Sequence, residues 1–64
     1  METHDTLAAE VKFERERLGL TQEDLAHEVG VTLRTISRIE LGKSRGSRLF
    51  RLAWQHFVKR SAAK

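Results

Sequence analysis

Cysteine and proline are both absent from the 64-residue chain. Without cysteine there is neither a disulfide framework nor a thiolate metal site, and nothing points to an oxidising compartment. The cytosol is the expected location. No apolar run approaches the roughly 18 residues of a membrane span, and the opening METHDTLAAE lacks the basic-then-apolar order of a secretion leader. These absences predict a chain that neither enters a membrane nor leaves by that route. Catalytic groups are also few: His4, His27 and His56 occur with no nucleophile elbow and no acid-rich cleft motif around them. The expectation is therefore no enzyme, no metal and no cofactor. A chain this short buries only roughly 60% of the surface it exposes when unfolded, which favours one domain and help from a partner.

What the chain does have is charge, unevenly placed. Residues 1–33 carry three basic against eight acidic side chains, a net of −5, whereas residues 34–64 carry nine basic against one acidic, a net of +8. Such polarity predicts one face that attracts polyanions and another that repels them. Charge alone does not separate a nucleic-acid face from a solvated one, so the decision falls to the local motifs.

Leu7, Ala8, Val11 and Leu18 recur at helical spacing and predict a first helix over about residues 6–18, closed at Gly19. Glu14 and Arg15 interrupt its apolar side, and Phe13 points elsewhere. A second helix is expected over 22–29, with Thr21 as its cap, Asp24 reciprocating three residues later, and Leu20 stapled onto Leu25. Gly30 then stops it. The device repeats with Val31, Thr32 as cap and Ile36 as staple partner, predicting a third helix over 33–41 that ends before Gly42. Two short helices joined by a tight Gly-containing turn form a helix-turn-helix pattern. A generic helical hairpin would not explain why Arg34, Thr35, Ser37 and Arg38 are the residues left facing outward on its second helix.

The stretch LTQEDLAHEVGVTLRTISRIELGK resembles the helix-turn-helix of the lambda-repressor-like family of transcription regulators, also called the Cro or xenobiotic-response-element (XRE) family. The likeness rests on Gln22, small Ala26, Gly30 in the turn, apolar Leu25, Val29, Val31, Ile36 and Ile39, and the closing Ile39, Glu40, Gly42 and Lys43. It extends upstream through ERERLGLTQ. The resemblance implies an all-α, four-helix domain lacking the family's usual fifth helix, and double-stranded DNA as the partner. It implies base contacts from Leu33, Arg34, Thr35, Ser37 and Arg38, and phosphate contacts from Gln22, Thr32, Lys43, Arg45 and Arg48. Guanine's N7 and O6 match the forked donors of Arg34 and Arg38, and a thymine methyl matches Leu33. It further implies an ion pair between Arg15 and Glu40. The customary proline after the recognition helix is missing, and Glu14 stands where the family usually carries an apolar or small residue. A repressor of the kind found beside phage, toxin–antitoxin or restriction–modification genes is the implied biology, in a bacterial nucleoid or phage setting.

A fourth helix is expected over about 48–59. Leu49, Leu52, Ala53 and His56 form one stripe and Phe50, Trp54, Phe57 and Val58 another. With the first stripe assigned to the core, the second would expose three aromatic residues, which predicts a homodimer interface made by Phe50, Trp54 and Phe57, against the competing reading that Trp54 and Phe57 complete a small core lacking a fifth helix. The alternative is an adaptor or antitoxin-like protein whose last helix binds a toxin or another regulator, with DNA binding secondary.

Overall fold

The computed structural model describes residues 3–62, and these form four helices with no strand: α1 (Thr3–Arg17), α2 (Gln22–Val29), α3 (Leu33–Glu40) and α4 (Arg48–Ala62). The order matches the sequence reading, with four boundary differences, one of them the end of α1 at Arg17 instead of residue 18. Helix α1 begins about three residues earlier and α4 runs three residues longer. Lys59 and Arg60 in the last turn of α4 complement the negative end of its dipole, and no Gly or Pro intervenes to stop it. Helix α3 stops one residue sooner. Leu41 is its cap, and the Lys43 and Gly42 amides donate back to the Arg38 and Ile39 carbonyls at 2.9 and 3.0 Å, closing the helix in a Schellman arrangement.

The start of α2 is written in its first residues. Thr21 Oγ1 accepts from the Asp24 amide at 3.0 Å, and Asp24 Oδ2 accepts from the Thr21 amide at 3.1 Å, a reciprocal capping box. Its end is set by Gly30 at φ +91°, a left-handed conformation that costs glycine nothing and a residue with a Cβ roughly 1 kcal/mol or more. Three residues, Gly30 to Thr32, separate α2 from α3, and the small, buried Ala26 lets the two helices of the motif approach closely. Helix α4 is started by Ser47, whose Oγ accepts from the Phe50 amide at 3.0 Å. The sequence reading did not single out this cap.

The core joins all four helices: Val11 from α1, Leu25 and Ala26 from α2, Ile36 and Ile39 from α3, and Phe50, Trp54 and Phe57 from α4. This corrects the assignment of Phe50, Trp54 and Phe57 to an exposed interface. They retain 3%, 3% and 4% of their accessible surface, while Leu49 and Leu52 retain 78% and 54%. The two stripes of α4 are reversed relative to expectation. An aromatic side chain buries about 150–250 Å², more than a leucine, so a small domain gains most by turning its aromatic stripe inward. The three rings stack in series, with centroids 6.2 Å apart for Phe50 and Trp54 and 5.6 Å for Trp54 and Phe57. Trp54 Nε1 donates to Glu10 Oε2 at 2.8 Å, so its polar edge is satisfied by α1. Gly46, at φ +77°, lies so close to Phe50 that a Cβ there would stand 2.7 Å from the ring.

Candidate nucleic-acid interface

Helix α3 has two sharply different sides. Ile36 and Ile39 are fully buried, whereas Arg34 and Arg38, one turn apart, are exposed on the opposite side, and Leu33 is 47% exposed at the first turn. Thr35 and Ser37 are half-buried at the margins. The helix is capped by Thr32, whose Oγ1 accepts from the Thr35 amide at 3.2 Å and lies 3.0 Å from Thr35 Oγ1. The two threonine hydroxyls are thus engaged with each other. A phosphate or base contact from either would use the lone pairs and proton left over.

The far end of α3 is held by one carboxylate. Arg15 Nε donates to Glu40 Oε2 at 2.7 Å and Arg15 Nη2 to Glu40 Oε1 at 3.1 Å, a two-pronged pair between α1 and α3. Arg15 Nη1 also donates to the Leu20 carbonyl at 3.0 Å. The pair is largely removed from solvent, with side-chain exposures of 15% for Arg15 and 5% for Glu40. The hydrogen bond to Glu40 is the main reason that the Arg15 guanidinium holds its proton even more tightly than usual. Gln22, the first residue of α2, donates its Nε2 to Glu40 Oε1 at 3.1 Å. Sequence reasoning gave Gln22 to phosphate and missed this bond. The available signal was valence: a carboxylate has about four lone-pair sites, and one arginine fork occupies two. Three helices therefore meet at Glu40, and the pitch of α3 is fixed from behind.

The positive charge lies on and beyond the outward side of α3. Lys43 and Arg45 in the loop and Arg48 at the start of α4 are all exposed, and from Leu41 to Lys64 no side chain carries a carboxyl. Glu40, the last acid before that stretch, is already paired with Arg15. On α2, by contrast, Glu23, Asp24 and Glu28 are exposed acids. The Thr21 backbone amide, followed by its side chain, holds the Asp24 carboxyl below its ordinary range. Glu14, the charge that fitted α1 poorly, pairs on the surface with Arg17 at 2.6 Å, and Phe13 is 63% exposed.

Among the described residues no group of three acid, histidine or cysteine side chains is placed to hold a metal ion, and no helix is long and apolar enough to cross a membrane. His27 and His56 are both exposed. Comparison with curated proteins and with solved structures found no match. A family model described as helix-turn-helix matches residues 11–53, well over half of the chain and inclusive of α2, α3 and the core positions Val11 to Phe50. With that match set beside the capped, glycine-hinged α2–α3 pair, the chain belongs to the XRE/lambda-repressor-like helix-turn-helix family of DNA-binding regulatory domains.

Proposed function

We propose that the chain is a sequence-specific transcription regulator, a repressor that sets α3 in the major groove of an inverted-repeat operator. One observation carries the reading: Arg34 and Arg38 stand exposed a single turn apart on a helix whose other side is wholly buried and whose end is pinned through Glu40. A guanidinium so placed presents two parallel donors to the O6 and N7 acceptors of guanine. Leu33 is exposed where a thymine methyl would meet it. Thr35 and Ser37, half-buried, sit at the edges of the base-reading surface.

Lys43, Arg45 and Arg48 are assigned to phosphates, together with Thr32 at the cap of α3. Gln22 keeps one amide hydrogen and its carbonyl oxygen beyond the bond to Glu40, so it can brace α3 and still meet a phosphate. Occupancy of a promoter by such a domain is enough to block it, and repression needs no further chemistry. An inverted repeat requires two copies with recognition helices roughly 34 Å apart, which makes a homodimer part of the proposal.

The test is selection of bound duplexes from a random pool, followed by measurement of variants on the selected site. Arg34→Ala or Arg38→Ala should cost roughly 1–3 kcal/mol and relax preference at one base position, while Lys43→Ala or Arg45→Ala should weaken all sequences alike and lower the salt slope by about one. Uniform loss across sequences in both classes would overturn the division of roles. No binding to any duplex at low salt would overturn the function and favour a protein-binding adaptor.

A further inference from the structure

Among the described residues Leu41 is a large apolar side chain that the core does not use, and 66% of its surface is open. Its backbone is still helical. With φ −81° and ψ −3°, and with its amide donating to the Ser37 carbonyl at 3.1 Å, it keeps the phase of α3. Gly42, at φ +76°, turns the chain away only after it. At about 100° per residue, Leu33, Ser37 and Leu41 form one row along the helix, and Arg34 and Arg38 form the row beside it. Ile36 and Ile39 are fully buried, and the direction opposite their midpoint falls between Leu41 and Arg34, within roughly 10° of each. Leu33 is turned roughly 90° from that direction. Leu41 thus points more squarely outward than Leu33, and it is the more exposed of the two, 66% against 47%.

The surroundings of Leu41 suit a polyanion: Arg34, Arg38 and Lys43 are exposed near it in sequence, and from Leu41 to Lys64 no side chain carries a carboxyl. A leucine has no donor to offer a phosphate. The apolar group that a duplex presents on its major-groove edge is the C5 methyl of thymine, and 5-methylcytosine carries the same methyl at the same place. Arg38 and Leu41 are three residues apart, so they are neighbours on the helix surface with about 5–6 Å between their Cβ atoms. In a pyrimidine–guanine step the C5 methyl of the pyrimidine stands beside the O6 and N7 edge of the guanine that follows it. A guanidinium and an isobutyl group held side by side match those two features of one step.

We propose that Leu41 is a further specificity-determining residue, which acts with Arg38 to read a 5-methylpyrimidine followed by guanine. Arg38 takes the guanine, and Leu41 packs on the methyl before it. Thymine meets this requirement in unmodified DNA. Cytosine meets it only when methylated at C5, so the domain tells a methylated CpG step from an unmethylated one. The inference rests on the proposed placing of α3 in the major groove and goes beyond it in naming the methyl group and the base step.

Single-group changes in the DNA test it, measured by binding of the full chain, Arg38→Ala and Leu41→Ala to the operator selected from a random pool. Both positions are exposed, and retained helical circular dichroism checks the fold. The guanine whose preference Arg38→Ala relaxes should be preceded on its strand by a thymine. Replacing that thymine by deoxyuridine, which removes the methyl alone, should weaken wild type about fourfold, what burial of one such group is worth, and leave Leu41→Ala unaffected. Cytosine at the same place should bind wild type more weakly than 5-methylcytosine by a similar factor, again with no difference in Leu41→Ala. A selected site with no such thymine overturns the inference. So does a deoxyuridine penalty that persists in Leu41→Ala, or a Leu41→Ala variant that weakens every duplex alike, the mark of a leucine resting on sugar. Those outcomes leave the regulator standing, whereas a pool that yields no preferred sequence overturns the regulator and the methyl reading together.

Discussion

Glu40 is the residue on which most of the motif's geometry converges. Its carboxylate is 5% exposed and takes two donors from Arg15 and one from Gln22. Removing it leaves a guanidinium partly buried with only the Leu20 carbonyl as partner. Glu40→Ala should therefore destabilise the domain by about 2–3 kcal/mol, several times the ~0.5 kcal/mol of a surface change, with Gln22→Ala near 1 kcal/mol. Urea unfolding measures both. Because Arg15 stays charged at every pH at which the protein folds, the loss should be the same at neutral and at mildly alkaline pH. It should also persist in salt, unlike any contribution from the half-exposed Arg60–Glu28 pair. Equal melting points for Glu40→Ala and wild type would refute the assignment.

At the scale of elements, α2 and α4 differ in what their sequences disclose. The cap of α2 is local: Thr21, Asp24 and Gly30 each act on backbone within a turn, so the helix and both its ends could be read directly. Its cap also titrates. Asp24 is held below the usual carboxylate range by the Thr21 amide and hydroxyl. A carboxyl depressed in the folded state stabilises the fold above its unfolded value of about 3.9, and that contribution disappears as pH falls through the lower folded value. The melting temperature should consequently drop below about pH 4, and Asp24→Asn should reduce the slope of that acid limb; an unchanged slope would place the titration elsewhere.

Helix α4 shows where reading stops. Its aliphatic and aromatic stripes recur at equally good helical spacing, and nothing within fifteen residues says which one meets the core. That choice depends on the volume left between α1, α2 and α3 and on Glu10, forty-four residues away, which satisfies the indole of Trp54. The ion pair at Arg15 was legible only through family likeness, because spacing along a chain does not bring residues 15 and 40 together. The outward row of Arg34 and Arg38 was legible from α3 alone, since Ile36 and Ile39 fix which way the helix turns.

For the molecule as a whole, the acidic first half and basic second half are folded against each other and touch at the surface in the half-exposed Arg60–Glu28 pair. Glu23, Asp24 and Glu28 lie on α2, while Arg34, Arg38 and the loop cations lie on and after α3. Among the described residues a single small core holds the domain, and three of its eight buried members come from α4. Trp54→Ala should cost roughly 3–5 kcal/mol, about the total stability that a core of this size supplies. The expected outcome is loss of helical circular dichroism at every concentration. A folded monomer would show that the aromatic stack is dispensable.

That same stack makes the protein its own optical gauge. Trp54 is the single tryptophan, and the chain has no tyrosine, so all long-wavelength ultraviolet emission comes from one indole. The ring is shielded by Phe50 and Phe57 and hydrogen-bonded to Glu10. Its colour reports whether α4 is docked on α1, and it lies away from the side of α3 that would meet DNA. Emission should move to the red when the helices part and stay nearly still when a duplex is added, so unfolding and binding can be followed in one cuvette without confusing the two.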